Sequence, residues 1–210
     1  MILALVVVLL VAGVLSAGIW AVTRYADRDS WAGRGTPVTT PRVPPDVTQT
    51  GQPPAALEPV KQILYRLKDR VLRSAGVPRP VDGSCDRAAL SGAEPAVLRC
   101  TVTYEGLAVD YRVTARSTGA EHVEWDATAD RTVVTREGLL AQFWYRYGPL
   151  GATFTDLRCD DGIPSVALVP VNAPLDRYCW AKPHRGKTVK VSFRPSDQGQ
   201  ANLFTEVQGP

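Results

Sequence analysis

Leu98-Arg99-Cys100-Thr101-Val102-Thr103-Tyr104-Glu105-Gly106-Leu107-Ala108-Val109-Asp110-Tyr111-Arg112-Val113 is the stretch from which the fold is read. Leu98, Cys100, Val102 and Tyr104 alternate with more polar residues. Leu107, Val109, Tyr111 and Val113 resume the alternation after Glu105-Gly106. A period of two suits a strand with one buried face, and a two-residue turn ending in glycine joins antiparallel neighbours. A third strand follows, with Val123, Trp125 and Ala127 on one face. Cys100 shares the apolar face, so a bridge to Cys85 is expected to lie against the core and to tie the preceding loop to the sheet.

Outward from this hairpin, the chain reads as helix, then strands, twice. Val60, Ile63, Leu64, Leu67 and Val71 fall on one side of a helix of period 3.6, with Pro59 in its first turn and Gly76 at its stop. Lys61, Arg66, Lys68, Arg70 and Arg73 take the remaining surface. Thr135 to Tyr147 predicts a second helix, with Leu139, Leu140, Phe143 and Tyr147 inward and Gly148-Pro149 at its end. Cys159 and Cys179 follow, then a hairpin through Gly186, a strand with Val189, Val191 and Phe193, and a last strand with Leu203, Phe204 and Val207. Gly106 lies six residues after Cys100, and Gly186 lies seven after Cys179. The expected fold class is therefore α+β, with an N-terminal transmembrane helix, a Pro-rich linker and two small helix-plus-antiparallel-sheet units, each holding one disulfide. The boundaries are 1–23 for the anchor, 24–55 for the linker, 56–133 for the first unit and 134–210 for the second. Chance similarity of two α+β halves is the alternative to duplication.

The four cysteines also speak of compartment. Closely spaced pairs, with no CxxC and with His122 and His184 far apart, suit an oxidising environment better than a metal site. Each bridge would close a loop of about 15–20 residues and stabilise a small unit by roughly 3 kcal/mol. Met1 to Thr23 holds no charged residue and is long enough to cross a bilayer. A cleaved signal peptide is the competing reading, but no Lys or Arg precedes the stretch and its apolar run is long. Arg24, Arg28 and Arg34 follow it, an arrangement that by the positive-inside rule favours a cytoplasmic C-terminal part. The cysteines point the other way and are given the greater weight, so the bulk of this single-pass chain is expected to be extracytoplasmic. Pro37, Pro41, Pro44, Pro45, Pro53 and Pro54 make the following stretch an extended spacer.

With 24 Lys and Arg against 21 Asp and Glu, the net charge of +3 is too small to imply nucleic acid. Abundant Ala, Val, Arg, Gly and Pro with one Met is the bias of high-GC coding. The cysteine pairs and glycine turns (Cys85, Cys100 and Gly106, then Cys159, Cys179 and Gly186) resemble a family of actinobacterial membrane proteins and lipoproteins of unknown function. Those extracytoplasmic domains carry one cysteine pair per unit. Ile19 stands where a lipidated cysteine would be, which departs from the lipoprotein members. The resemblance implies an envelope location and carries over no catalytic residue.

No GxSxG, SxxK, HExxH or GxGxxG occurs, and no catalytic residue, metal ligand or cofactor is assigned. His122, Glu124 and Asp126 share the outward face of one strand, where an imidazole and two carboxylates could serve a small envelope hydrolase or metal-dependent enzyme. A solvated polar face is the plainer account. Asp156, Asp160 and Asp161 lack the EF-hand spacing and read as a turn. Arg185-Gly186-Lys187-Thr188 resembles the end of a phosphate loop, but Ala181 replaces the required glycine and a strand follows. Lys182, His184, Arg185, Lys187, Lys190 and Arg194 make the last hairpin basic, a candidate surface for anionic polymer or lipid headgroups. Trp144 and Tyr145, in the aromatic run from Phe143 to Tyr147, are candidate contact residues. The expected function is a non-catalytic binding or interaction module of a bacterial envelope, held by its N-terminal helix, with an envelope protein or anionic polymer as partner. A structural spacer in a membrane assembly is the third reading.

Overall fold

The computed structural model describes residues 31–40, 58–87, 89–90, 94–118, 123–148, 153–196 and 203–207. The chain divides into a unit over 1–36 and a compact unit over 37–210. In the first, Trp31–Gly33 forms a single 3-10 turn, closed by the Arg34 N–H donating to the Trp31 carbonyl at 3.2 Å. The rest of the description concerns the second unit.

Helix α1 spans Pro59–Ala75. Its first-turn proline has no amide to leave unsatisfied, and it buries Val60, Ile63, Leu67 and Val71. Gly76 ends it in the left-handed region at φ 70°, with its N–H on the Leu72 carbonyl at 2.8 Å. Four antiparallel strands follow as a meander: β1 (Val81–Cys85), β2 (Ala96–Tyr104), β3 (Leu107–Ser117) and β4 (Val123–Thr128), in spatial order β1-β2-β3-β4. The turn between β2 and β3 puts Glu105 at φ 47° and Gly106 at φ 80°. Two positive φ values give the primed turn whose twist matches that of the strands. Leu98, Cys100, Val102, Tyr104, Val109, Tyr111 and Val113 face α1 and form the first core.

The next strand, β5 (Arg131–Thr135), leads into α2 (Arg136–Tyr147). The Thr135 hydroxyl accepts the Gly138 N–H at 2.9 Å, capping α2, and donates to the Ala75 carbonyl at 2.7 Å, so it also binds the end of α1. Then come β6 (Phe154–Cys159), β7 (Val166–Pro170), β8 (Tyr178–Pro183), β9 (Val189–Arg194) and β10 (Leu203–Val207). Strands β6, β8, β9 and β10 are neighbours in that order. Leu157, Cys159, Cys179, Ala181, Val191 and Phe193 cover Leu139, Phe143 and Tyr147 of α2 to make the second core.

Strand β7 leaves that sheet and pairs with β5 from Arg131↔Pro170 to Thr135↔Val166. Val133, Val166 and Leu168 belong to the first core, and Val134, Ala167 and Val169 to the second. Successive side chains of a strand point to opposite faces, so this ribbon supplies both cores at once.

The α+β expectation is corrected here. Strands take 46% and helices 22% of the described residues, and the two helices serve sheets that dominate the architecture. The strand Arg131–Thr135 runs across the expected junction at 133/134, and everything from Pro37 to Pro210 forms one compact unit. The sequence pattern misses this because β5 is buried on both faces and shows no alternation. Among the described residues no helix is long and apolar enough to cross a membrane; the expected anchor, 1–23, lies outside them. Part of the expected spacer is tied down, since the Val38 N–H donates to the Leu157 carbonyl at 2.8 Å and Val38 packs on the second core.

Both disulfides are formed, Cys85–Cys100 and Cys159–Cys179, each with 4.0 Å between Cα atoms. They join directly opposed residues of neighbouring strands rather than a loop and a strand, which corrects the expected geometry. The residue after the first cysteine is aspartate in each case. The Asp86 N–H donates to the Arg99 carbonyl at 2.9 Å and its carboxylate accepts the Arg99 N–H at 3.0 Å. The Asp160 N–H likewise donates to the Tyr178 carbonyl at 2.9 Å, and its carboxylate accepts the Tyr178 N–H at 2.7 Å.

Candidate binding face

The basic hairpin is β8, its turn and β9. Cys179 and Ala181 point inward, so alternation turns Tyr178, Trp180 and Lys182 outward. Pairing sets Lys190 of β9 opposite Trp180, and Arg158 of β6 opposite Trp180 on its other side. An aromatic ring thus stands between two cationic side chains in one row across three strands. Lys190 Nζ lies 3.6 Å from the centroid of the Tyr178 ring, close enough for the ammonium to interact with the ring's negative face. Arg158 is only 18% exposed in its side chain and lies 3.5 Å from Asp156 through Nε and Oδ2, while Asp156 in turn stands opposite Lys182. Arg185 and Lys187 are exposed at the turn, where Gly186 adopts φ 100°. Lys182, Lys190, Arg185 and Lys187 therefore extend along one face and over its tip.

Trp144 and Tyr145 are elsewhere. They lie on α2, which packs against the inner side of this sheet, and their rings meet edge to face at 5.2 Å. Trp144 packs against the second core, whereas Tyr145 is 37% exposed. The structure does not bring these two to the basic face. Sequence reasoning missed Tyr178, Trp180 and Arg158 as members of that face. The alternation around Cys179 was available for the first two, and the placement of Arg158 depends on the pairing of β6 with β8.

His122 lies outside the described residues. Glu124 is held in an ion pair with Arg116 on the neighbouring strand, and Asp126 stands exposed opposite Thr114. Of the three aspartates near Cys159, Asp156 meets Arg158, Asp160 closes the disulfide corner and Asp161 lies 4.0 Å from Arg136. Among the described residues no group of three or more His, Cys, Asp and Glu converges as a metal site.

A shallow cleft of about 630 Å³ lies between Val77, Pro78, Arg79, Pro80, Glu105 and Glu137. Arg79 is paired with Glu105. The Tyr104 hydroxyl donates to the Val77 carbonyl at 3.1 Å. Burial pushes its pKa up to about 12; Arg79 opposes that rise, and Glu105 and Glu137 add to it. A phenol held so firmly in its neutral form is a structural donor and no base at neutral pH.

Comparison of the chain with known families, with curated proteins and with solved structures gives no match.

Proposed function

We propose that the chain is a membrane-anchored, extracytoplasmic and non-catalytic binding module of a bacterial envelope, and that it holds an anionic polymer on the outer face of β8 and β9. The observation that carries this reading is the Lys190 ammonium at 3.6 Å over Tyr178, beside Trp180 and Lys182 on a solvent-facing sheet. Ammonium groups attract the charges of a polyanion, and the aromatic planes supply contact area at small entropic cost. The two bridged cysteine pairs support an oxidising compartment, and the uncharged stretch Met1 to Thr23 supports the anchor. The resemblance to actinobacterial envelope domains rests on cysteine and glycine spacing alone.

Titrating the purified full chain with inorganic polyphosphate, with neutral dextran as control, tests the reading through tryptophan fluorescence. Binding should weaken steadily as salt rises, because exposed charges are screened within about 10 Å at 0.1 M. Replacing both Lys182 and Lys190 by Gln should weaken it by roughly tenfold or more, at about 1 kcal/mol for each lysine. No polyphosphate binding, or binding that the double variant leaves intact, sinks the polymer reading. A thiol titration of the chain from native membranes tests the compartment separately: four reactive thiols would overturn it.

A further inference from the structure

We propose that the outward face of the first sheet carries a second anion site, a phosphoryl-binding clamp formed by Arg99 and Arg112. The two-residue turn makes Tyr104 and Leu107 a hydrogen-bonded pair, so every second opposed pair on β2 and β3 is of the closer, non-bonded kind. Thr101 and Asp110 form one such pair, and the Thr101 hydroxyl duly donates to the Asp110 carboxylate at 2.7 Å. Arg99 and Arg112 form the next, both exposed. Like charges directly opposed on a sheet repel each other. Other rows of this face avoid this: Asp110 takes a hydroxyl, Asp126 stands opposite Thr114, and Arg116 is matched with Glu124. Only in the arginine row do two cations face each other, and neither guanidinium has an ion-pair or hydrogen-bond partner among the described residues.

Two guanidinium forks at the close cross-strand spacing can each present paired N–H donors to one tetrahedral oxyanion, which removes the repulsion and uses the geometry that suits phosphate. Thr128, opposite Arg112 on β4, adds a hydroxyl at the rim. Three carboxylates border the site. Asp86 accepts the Arg99 N–H at 3.0 Å, Asp110 is held by Thr101, and Asp126 stands on β4 opposite Thr114, diagonal to Arg112. Asp126 is the one of these carboxylates set diagonally across from Arg112 on the neighbouring strand, so its charge opposes an anion held there. The ligand chemistry is a phosphate or a phosphate monoester, free or at the head of a lipid. This clamp and the β8–β9 face share no residue. Because polyphosphate can reach both, the effect of the Lys182 and Lys190 substitutions on polyphosphate binding is read in the Arg99→Gln background, so either site can fail without the other.

The test is calorimetric titration of the full chain, held in detergent-free phosphatidylcholine nanodiscs, with inorganic phosphate, and separately with glycerol 3-phosphate and with phosphatidate vesicles. Saturable binding is expected, lost at least tenfold in Arg99→Gln and in Arg112→Gln, weakened in Arg112→Lys, which keeps charge but not the fork, and tightened in Asp126→Asn. The Lys182 and Lys190 double variant should bind inorganic phosphate unchanged. Without phosphate, Arg99→Gln should melt higher than the parent chain, and added phosphate should raise the midpoint of the parent but not that of Arg99→Gln. Preference for vesicles over glycerol 3-phosphate would assign the source to a membrane surface, and equal binding to a soluble ester. Absence of saturable binding to all three probes, or binding indifferent to both arginine substitutions, overturns the clamp.

Discussion

Gly138 has no side chain because the end of α1 occupies the place where one would be. A Cβ there would stand 2.0 Å from the Ala75 carbonyl oxygen and 2.8 Å from the Gly76 Cα. Both obstacles are backbone, so they cannot rotate away. Gly138→Ala should destabilise the fold by about 3 kcal/mol, at the upper end for overpacking, and urea unfolding would show it as a lowered midpoint at unchanged slope. Tyr104 yields a second expectation. The unfolded phenol ionises near pH 10, whereas burial holds the folded one neutral to about 12. Its contribution is therefore complete below pH 10 and is lost as pH rises from 10 through about 12, because only the unfolded chain gains by ionising there. The loss is on the order of 2–3 kcal/mol. Unfolding free energies measured across that window should fall more steeply for the parent chain than for Tyr104→Phe; equal slopes would show that another group governs the alkaline limb.

At the scale of elements, β2 and β3 were readable because one face is buried and the other is wet, so period two survives in the sequence. The helix faces were readable for the same reason, and their prominence led to an overestimate of helical weight. Strands β5 and β7 hid because Thr132, Val133, Val134 and Thr135 are all buried, and their partners lie more than thirty residues apart, as in the Arg131 side chain's bond to the Leu168 carbonyl. Period carries no information about a strand that two cores share. The cysteine pairing was legible, yet the strand-to-strand corner was not, since β1, Val81–Cys85, has no fully buried residue to mark it. Lys182, Arg185, Lys187 and Lys190 could be picked out as basic residues from sequence. Their relation to Tyr178, Trp180 and Arg158 could not, because it is created by register. Asp86 was passed over and Asp160 was read only as part of a turn for a simpler reason: an aspartate after a cysteine looks like any turn residue until its carboxylate is seen to accept the amide of the opposing strand.

For the molecule as a whole, the β5–β7 ribbon decides how its parts depend on each other. Val133 and Val134 are both fully buried, one in each core, so neither core can open without exposing the wall of the other. Heat should therefore unfold residues 37–210 in one calorimetric transition whose van't Hoff and calorimetric enthalpies agree. Two resolved transitions under oxidising conditions would show that the cores melt separately. The same ribbon sets an order of events for a chain made from its N-terminus. When β5 leaves the exit port, Val166–Pro170 has still to follow, so the first sheet and α1 can assemble while one side of their core stays open. Closure must await the arrival of a strand that lies beyond α2 and Cys159 in the chain. A stalled or truncated product ending before Val166 would keep Val133 and Val134 uncovered and their backbone edge unpaired, a species fit for chaperone capture or self-association. The wall that unites the finished protein thus fixes the interval of greatest vulnerability during its birth.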